Sequence, residues 1–361
     1  MIDIDFERLR CMGLTPAMAR QLATHPVPDG GPFQLMRLAE VHRETLRLHD
    51  GLAEHSARAL PHVVRELAER DSALAVGDWV LARADPHGGL WVHAQLPPLT
   101  HIARRDADGS CHAVVSNVDT ALLVMGLDDD FNPRRLERYL ALVQGSGVWP
   151  VVVLTKADVA TPRPEMLAAR LAELRARLSG SLDIVAVNGT DASAARALAP
   201  YVHAGQTVVL LGSSGAGKST LTNTLAGAAL QDTGAVREHD SRGKHTTTSR
   251  SLHRLPGGAC VIDTPGLRAL RPDVDEATLA WLFDDIGRLA LRCRFRDCRH
   301  QHEPGCAVRD GVGSDRLRNY HKLLREARRD TMTLLERQQQ ASVWKARGRA
   351  TRAWMKVKRG E

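Results

Sequence analysis

The chain has 361 residues, 43% hydrophobic and 25% charged, enough for two or three domains, and an aromatic share of 4% points to mostly aliphatic cores. With 49 Lys and Arg against 42 Asp and Glu the net charge is +7, which favours a polyanionic partner, either nucleic acid or a membrane surface. No apolar stretch is long enough to cross a bilayer, the start Met1-Ile2-Asp3-Ile4-Asp5-Phe6 lacks the basic and apolar regions of a secretory signal, and six cysteines with three clustered near the C-terminus are not a secreted disulfide framework, so a cytoplasmic protein that makes no use of a membrane is expected.

Residues 1–33 read as an N-terminal extension, a short helix followed by a Pro/Gly-rich link. In residues 34–112 short candidate strands at 37–41, 77–82 and 90–94 alternate with turn residues, which predicts a small β-barrel or sandwich interrupted by a helix-like stretch at 62–69. In residues 113–283 apolar runs at 120–126, 150–155, 182–187, 207–212 and 259–263 alternate with helical patterns such as Leu167, Leu171, Leu174 and Leu178. That alternation predicts a mainly parallel sheet with helices on both faces. Residues 284–361 are Arg-rich, carry the cysteine cluster and then read as helix, with seven Lys or Arg and a single acid between 341 and 361.

Gly212-Ser213-Ser214-Gly215-Ala216-Gly217-Lys218-Ser219 follows an apolar strand and opens a helix at Thr220, the context that a phosphate-cradling loop requires. Its glycines let backbone N–H groups converge on phosphate oxygens, and the helix N-terminus adds partial positive charge. Lys218 is expected to reach the β- and γ-phosphates and the Ser219 hydroxyl to ligate Mg²⁺. The base is chosen by Thr155-Lys156-Ala157-Asp158: the Asp158 carboxylate can accept from both the N1–H and the exocyclic amine of guanine, a contact that adenine cannot make. Thr155 stands where an Asn is usual and is expected to bridge loops less extensively. Val187-Asn188-Gly189 is a further candidate for the loop near the guanine O6.

Asp263-Thr264-Pro265-Gly266 fits the element that holds Mg²⁺ through water at Asp263 and senses the γ-phosphate at the Gly266 amide. From Gly243-Lys244-His245-Thr246-Thr247-Thr248, Thr247 or Thr248 is expected to complete the magnesium shell. Leu267 occupies the position where many GTPases carry a water-orienting Gln. Water must then be positioned either by a residue of the loop at 232–250, with His245 as the candidate, or by a partner, and slow basal hydrolysis with strong stimulation by a partner is expected.

The base-reading turn precedes the phosphate loop, so the domain is circularly permuted. Beyond it lies Cys293-x4-Cys298-x-His300-x5-Cys306, three thiolates and one imidazole that satisfy a closed tetrahedral zinc site; unligated buried cysteines are the alternative. Arg292, Arg294, Arg296 and Arg299 nearby suit phosphate contacts or simply a solvated surface.

The permuted order, the run Gly243 through Thr248, Asp263-Thr264-Pro265-Gly266-Leu267, and the cluster Cys293 through Cys306 together closely resemble the ribosome small-subunit-dependent GTPase family (RsgA, also called YjeQ), over about residues 34–361. The resemblance implies an α/β P-loop GTPase domain, circularly permuted, with an N-terminal OB-type β-barrel at 34–112 and a C-terminal zinc-binding, mainly helical domain at 284–361. It implies zinc on Cys293, Cys298, His300 and Cys306, and a monomeric GTPase bound to the small ribosomal subunit and its rRNA. Its action falls in late maturation, with hydrolysis of GTP to GDP stimulated by the subunit. Two other readings stay open on the residues alone: an RNA-binding scaffold that keeps GTP as a structural ligand, and a small-molecule kinase, for which the sequence shows neither acceptor pocket nor lid.

Overall fold

The computed structural model describes residues 2–28, 31–43, 45–86, 88–105, 111–178, 182–230, 250–265 and 275–330. Two compact units result, Met1–Asp273 and Val274–Glu361.

In the first unit, five strands close into a ring. Phe33–Val41 pairs antiparallel with Leu46–His49, which pairs antiparallel with Glu54–Ala59. Glu54–Ala59 then runs parallel to Leu90–Gln95, and Trp79–Ala84 returns antiparallel from Leu90–Gln95 to Phe33–Val41. The helix Pro61–Glu69 sits between the third and fourth strands of the ring, and its Val63 and Leu67 join Met36, Leu38, Leu48, Val80 and Val92 in the barrel core. The strand order and the helix position are those of an OB barrel, so the helical stretch belongs to the barrel. Two of the strands, Leu46–His49 and Glu54–Ala59, are absent from the sequence-based expectation: Arg47, Glu54, Ser56 and Arg58 are polar and largely exposed, and the short segments carry too few apolar residues to show a period.

The ring opens directly into a second sheet, because Glu40 of its first strand also pairs with Ser251 of Ser251–Arg254. From there the order runs through Cys260–Asp263, Thr207–Gly212, Thr120–Gly126 and Trp149–Thr155 to Asp183–Ala186; Ser251–Arg254 pairs antiparallel with Cys260–Asp263, and every pairing beyond Cys260–Asp263 is parallel. Thr120–Gly126 and Thr207–Gly212 are buried along their whole length, as strands covered on both faces must be. Helices Pro133–Gln144, Pro164–Arg177, Ala192–Leu198 and Lys218–Ala226 supply the cover.

The N-terminal extension is part of this unit. Asp5 and Thr15 cap the helices Phe6–Arg10 and Pro16–Thr24, and Leu9, Met12, Leu14, Met18 and Leu22 are buried. The tie is Arg37, a wholly buried cation on the first barrel strand. Its Nη1 donates to the Met12 carbonyl at 2.9 Å, its Nη2 to the Asn117 carbonyl at 2.8 Å and to the Thr207 hydroxyl at 3.4 Å, and its guanidinium lies over the Trp79 ring at 5.0 Å. Asp78 lies in the same interior, where its carboxylate accepts from the Ala75 amide at 2.8 Å and the Gln95 amide at 2.6 Å.

In the second unit, helices Glu276–Leu282, Asp284–Ala290, Ala307–Gly311 and Ser314–Asp330 pack around Leu279, Phe283, Ile286, Val308 and Leu323. Arg316 forms a two-pronged pair with Asp285 at 2.7 and 2.8 Å and lies over the Phe283 ring. Glu276–Leu282, in the stretch expected to end the GTPase domain, packs here instead, because Phe283 stacks edge-on against Tyr320 and Arg316 bonds the Leu282 carbonyl.

Burial pushes the Asp78 carboxyl up from an ordinary 3.8 to about 6, against the pull of its hydrogen bonds and of Arg37. A carboxyl raised in the folded state stabilises the fold below its unfolded value, and that contribution is lost as pH rises through the folded value. Asp78→Asn has no such slope. Its unfolding free energy, measured by denaturant titration, is expected to gain about 2 kcal/mol on the wild type between about pH 4.5 and about pH 7.5.

Candidate functional site

Because five strands run parallel, the loops after Gly126, Thr155, Ala186, Gly212 and Asp263 emerge along one edge, where ligands of open α/β sheets bind. The predicted motifs at 155–158, 187–189, 212–219 and 263–265 therefore meet in space although they are scattered in sequence.

The phosphate loop turns on Gly215 and Gly217, with φ of +79° and +92°, a region that side chains disfavour. Gly212 has a separate reason: a Cβ there would lie 2.4 Å from the Val124 carbonyl of the neighbouring strand. Gly217 caps the helix Lys218–Ala226 without any side-chain cap, leaving its first turn to a ligand. Ser214 and Gly215 are exposed, and Thr220 is half-buried on the helix. The Lys218 ammonium is folded onto the loop, donating to the carbonyls of Gly212 at 3.1 Å and Ser213 at 2.8 Å. Burial pushes its pKa down, while Asp263 and Asp130 pull it up.

Thr155 makes the bridge between loops with its hydroxyl, although it carries no amide. Its hydroxyl donates to the Ala216 carbonyl at 2.6 Å, joining the base-reading turn to the phosphate loop. Lys156 adopts a left-handed φ of +59° and opens the short helix Ala157–Ala160, whose Ala157 amide donates to the Val187 carbonyl. Asp158 is exposed in that helix. The loop at 187–189 is fixed beside it, since the Thr224 hydroxyl of the phosphate-loop helix donates to the Gly189 carbonyl at 2.6 Å.

Asp263 ends its strand fully buried. Its Oδ2 accepts the Ser219 hydroxyl at 3.1 Å, and its Oδ1 has no hydrogen-bond partner among the described residues. Burial raises its pKa, with Lys218 and Ser219 opposing. A buried carboxylate oxygen left over beside a serine hydroxyl fits a hydrated Mg²⁺ held by Ser219 and, through water, by Asp263. His245, Thr247, Thr248, Gly266 and Leu267 lie outside the described residues.

Cys293, Cys298, His300 and Cys306 place their four ligand atoms within 4.8 Å of one another. The measured edges, 3.9 Å between the sulfurs of Cys293 and Cys306 and 3.7 and 3.4 Å from those sulfurs to His300 Nδ1, suit a tetrahedron with Zn–S of about 2.3 Å and Zn–N of about 2.0 Å. His300 takes a left-handed φ of +58° to point inward. The amides of Arg299, Gln301 and His302 all donate to the Glu303 carboxylate, which folds the ligand loop and holds that carboxyl down at about 2.

Three residues of this edge were missed in the sequence: Asp128, Asp130 and Arg135, which follow the strand Thr120–Gly126. A run of acids placed immediately after a fully buried strand was the available signal. Asp128 pairs with the Lys156 ammonium at 2.6 Å.

Metal analysis of the purified chain is expected to give about one zinc per molecule, bound by three thiolates and an imidazole. Cys306→Ser is expected to release it and to lower the unfolding temperature, with a chelator reproducing the effect on the wild type.

A family model described as RsgA GTPase matches residues 96–272. A relative named small ribosomal subunit biogenesis GTPase RsgA, from Xanthomonas oryzae pv. oryzae (strain MAFF 311018), is 46% identical over 332 residues, covering 89% of each chain. The protein of that name from Xanthomonas campestris pv. campestris (strain B100) is 48% identical over 295 residues, covering 80% of this chain and 79% of its own. Among solved structures, YjeQ from Thermotoga maritima superposes with a TM-score of 0.55 at 21% identity, covering 81% of this chain and 98% of that one. YloQ, described as a circularly permuted GTPase, gives 0.54 at 19% identity, covering 86% and 100%. The two structures share the fold, and the extent of identity to the relatives settles the kinship: the chain belongs to the RsgA GTPase family.

Proposed function

We propose that this protein hydrolyses GTP to GDP and phosphate on the small ribosomal subunit, as a cytoplasmic monomer that takes part in the subunit's late maturation and is stimulated by it. The observation that carries the reading is the Thr155–Ala216 hydrogen bond, which fixes a guanine-selecting carboxylate and a phosphate-cradling loop as one pocket. The names of the Xanthomonas relatives support the ribosomal role.

In this reading residues 34–112 bind rRNA, residues 113–283 bind and cleave the nucleotide, and residues 284–361 hold zinc and add rRNA contacts. Thr155, Lys156, Ala157 and Asp158 receive guanine. Gly212 through Thr220 receive the phosphates, with the Gly266 amide sensing the γ-phosphate. Lys218 leaves the Gly212 and Ser213 carbonyls for the β- and γ-phosphates, exchanging two neutral acceptors for anionic ones. Mg²⁺, when bound by Ser219 with Thr247 or Thr248 and by Asp263 through water, neutralises charge on the phosphate oxygens. His245 orients the attacking water in place of the Gln that Leu267 replaces.

Turnover measured with and without purified small subunits tests the reading. Stimulation of tenfold or more is expected, typical of a partner-completed site, and an unstimulated chain that still binds GTP would favour the scaffold. Lys218→Ala is expected to abolish turnover. Asp158→Asn is expected to weaken GTP by about 30- to 150-fold, the worth of about 2–3 kcal/mol for a charge-assisted pair of bonds; retention of wild-type affinity would mean that guanine is read elsewhere.

A further inference from the structure

One loop at the site edge belongs to none of the predicted motifs and yet touches two of them. After Thr120–Gly126 the chain passes through Asp128-Asp129-Asp130 and enters the helix Pro133–Gln144, capped by Asn132. Asp130 Oδ1 accepts the hydroxyl of Ser213, the second residue of the phosphate loop, at 2.5 Å. Its Oδ2 accepts the Gly126 amide at 3.0 Å. Arg135, in the first turn of the helix, donates from Nη2 to the same Oδ1 at 2.5 Å and also to the Asp130 carbonyl. The Asp130 amide in turn donates to Asp128 Oδ1 at 3.2 Å, and Asp128 Oδ2 takes the Lys156 ammonium at 2.6 Å. The chain of bonds runs from the base-reading turn through Asp128 and Asp130 to the phosphate loop, and Thr155 closes the circle on its other side.

The loop has little freedom to do otherwise. A Cβ on Gly126 would stand 2.4 Å from Asp128 Oδ1, so the backbone of the strand end and the first acid are in contact. Asp130 keeps only 13% of its side chain exposed and Arg135 28%, so the pair is partly screened from water and its geometry is fixed at two points. A carboxylate this close to a phosphate site repels the ligand unless a cation balances it, and Arg135 supplies that cation. Both groups act on Lys218 as well, Asp130 raising and Arg135 lowering its pKa.

We propose that Asp130, locked by Arg135, is a positioning residue for GTP turnover: through Ser213 it sets the main chain of the phosphate loop, and through Asp128 and Lys156 it keeps that loop in register with the guanine pocket. The inference rests on the GTPase reading of the pocket and adds residues to it. Positioning of this kind acts on the geometry of the transferring phosphate, so its loss shows in kcat more than in KM.

The test is a double-mutant cycle on the full chain, with GTP turnover assayed on purified small subunits. Asp130→Asn is expected to lower kcat about tenfold and Ser213→Ala about threefold, with KM changed by less than about threefold. The double variant is expected to match Asp130→Asn alone, because both changes act through the one Ser213–Asp130 contact. Arg135→Ala is expected to resemble Asp130→Asn, and Arg135→Lys to recover part of the loss. Ser213→Ala removes one hydroxyl and no charge, so it keeps the test open if a charge change impairs folding. Multiplying effects of the two variants, or undiminished kcat in both beside an active wild type, overturn the inference and leave the GTPase reading intact. A wild type that binds no GTP overturns both.

Discussion

The guanidinium of Arg37 holds the N-terminal helices, the barrel and the nucleotide sheet in one frame. It is an expensive device, since a buried cation must be given back what it loses from water. Carbonyls from two separate stretches of chain and the Thr207 hydroxyl from a third supply most of this, and the carboxylates of Asp78 and Asp119 add their field. A planar fork with several donors can meet partners in divergent directions, which a lysine ammonium on a flexible stem cannot do as rigidly. The Thr207 hydroxyl within its reach begins the strand that ends in the phosphate loop, so the barrel is anchored to the strand that carries the chemistry.

Circular permutation leaves the pocket undisturbed because position in the sheet, and not order in the chain, decides which loops meet. The central strand Thr207–Gly212 lies between Thr120–Gly126 and Cys260–Asp263 whichever is made first. The loops then need only short cross-links to become one site, and the hydroxyls of Thr155, Ser213, Ser219 and Thr224 provide them. Each is a side chain bonded across to a neighbouring loop or strand end, the arrangement that holds loops in place without covering the ligand.

What could be read from the sequence follows from how locally each feature is specified. The phosphate loop was legible because conformation and chemistry are both local: glycines at positive φ, then Lys and Ser at a helix start. The parallel sheet was legible from fully apolar runs. Two of the five barrel strands were hidden, since Leu46–His49 and Glu54–Ala59 are short and polar on one face. The N-terminal extension was readable as a short helix, but not as part of the core, because Arg37 looks in the sequence like any exposed residue of a strand. Asp130 and Thr155 show the same limit: their partners lie 83 and 61 residues away, and no spacing rule joins them.

The join between Glu40 and Ser251 also orders events during synthesis. The barrel strands through Leu90–Gln95 leave the ribosome as a set that can close by itself, whereas Thr120–Gly126 and Trp149–Thr155 emerge with one side of their sheet still open. That open side persists until Thr207–Gly212 follows, and the seam to the barrel waits for Ser251–Arg254. Pairings this distant in sequence close slowly and expose unpaired edges meanwhile. A nascent chain of this architecture is therefore most vulnerable to misassociation in the interval between Trp149–Thr155 and Thr207–Gly212, well after the barrel has formed.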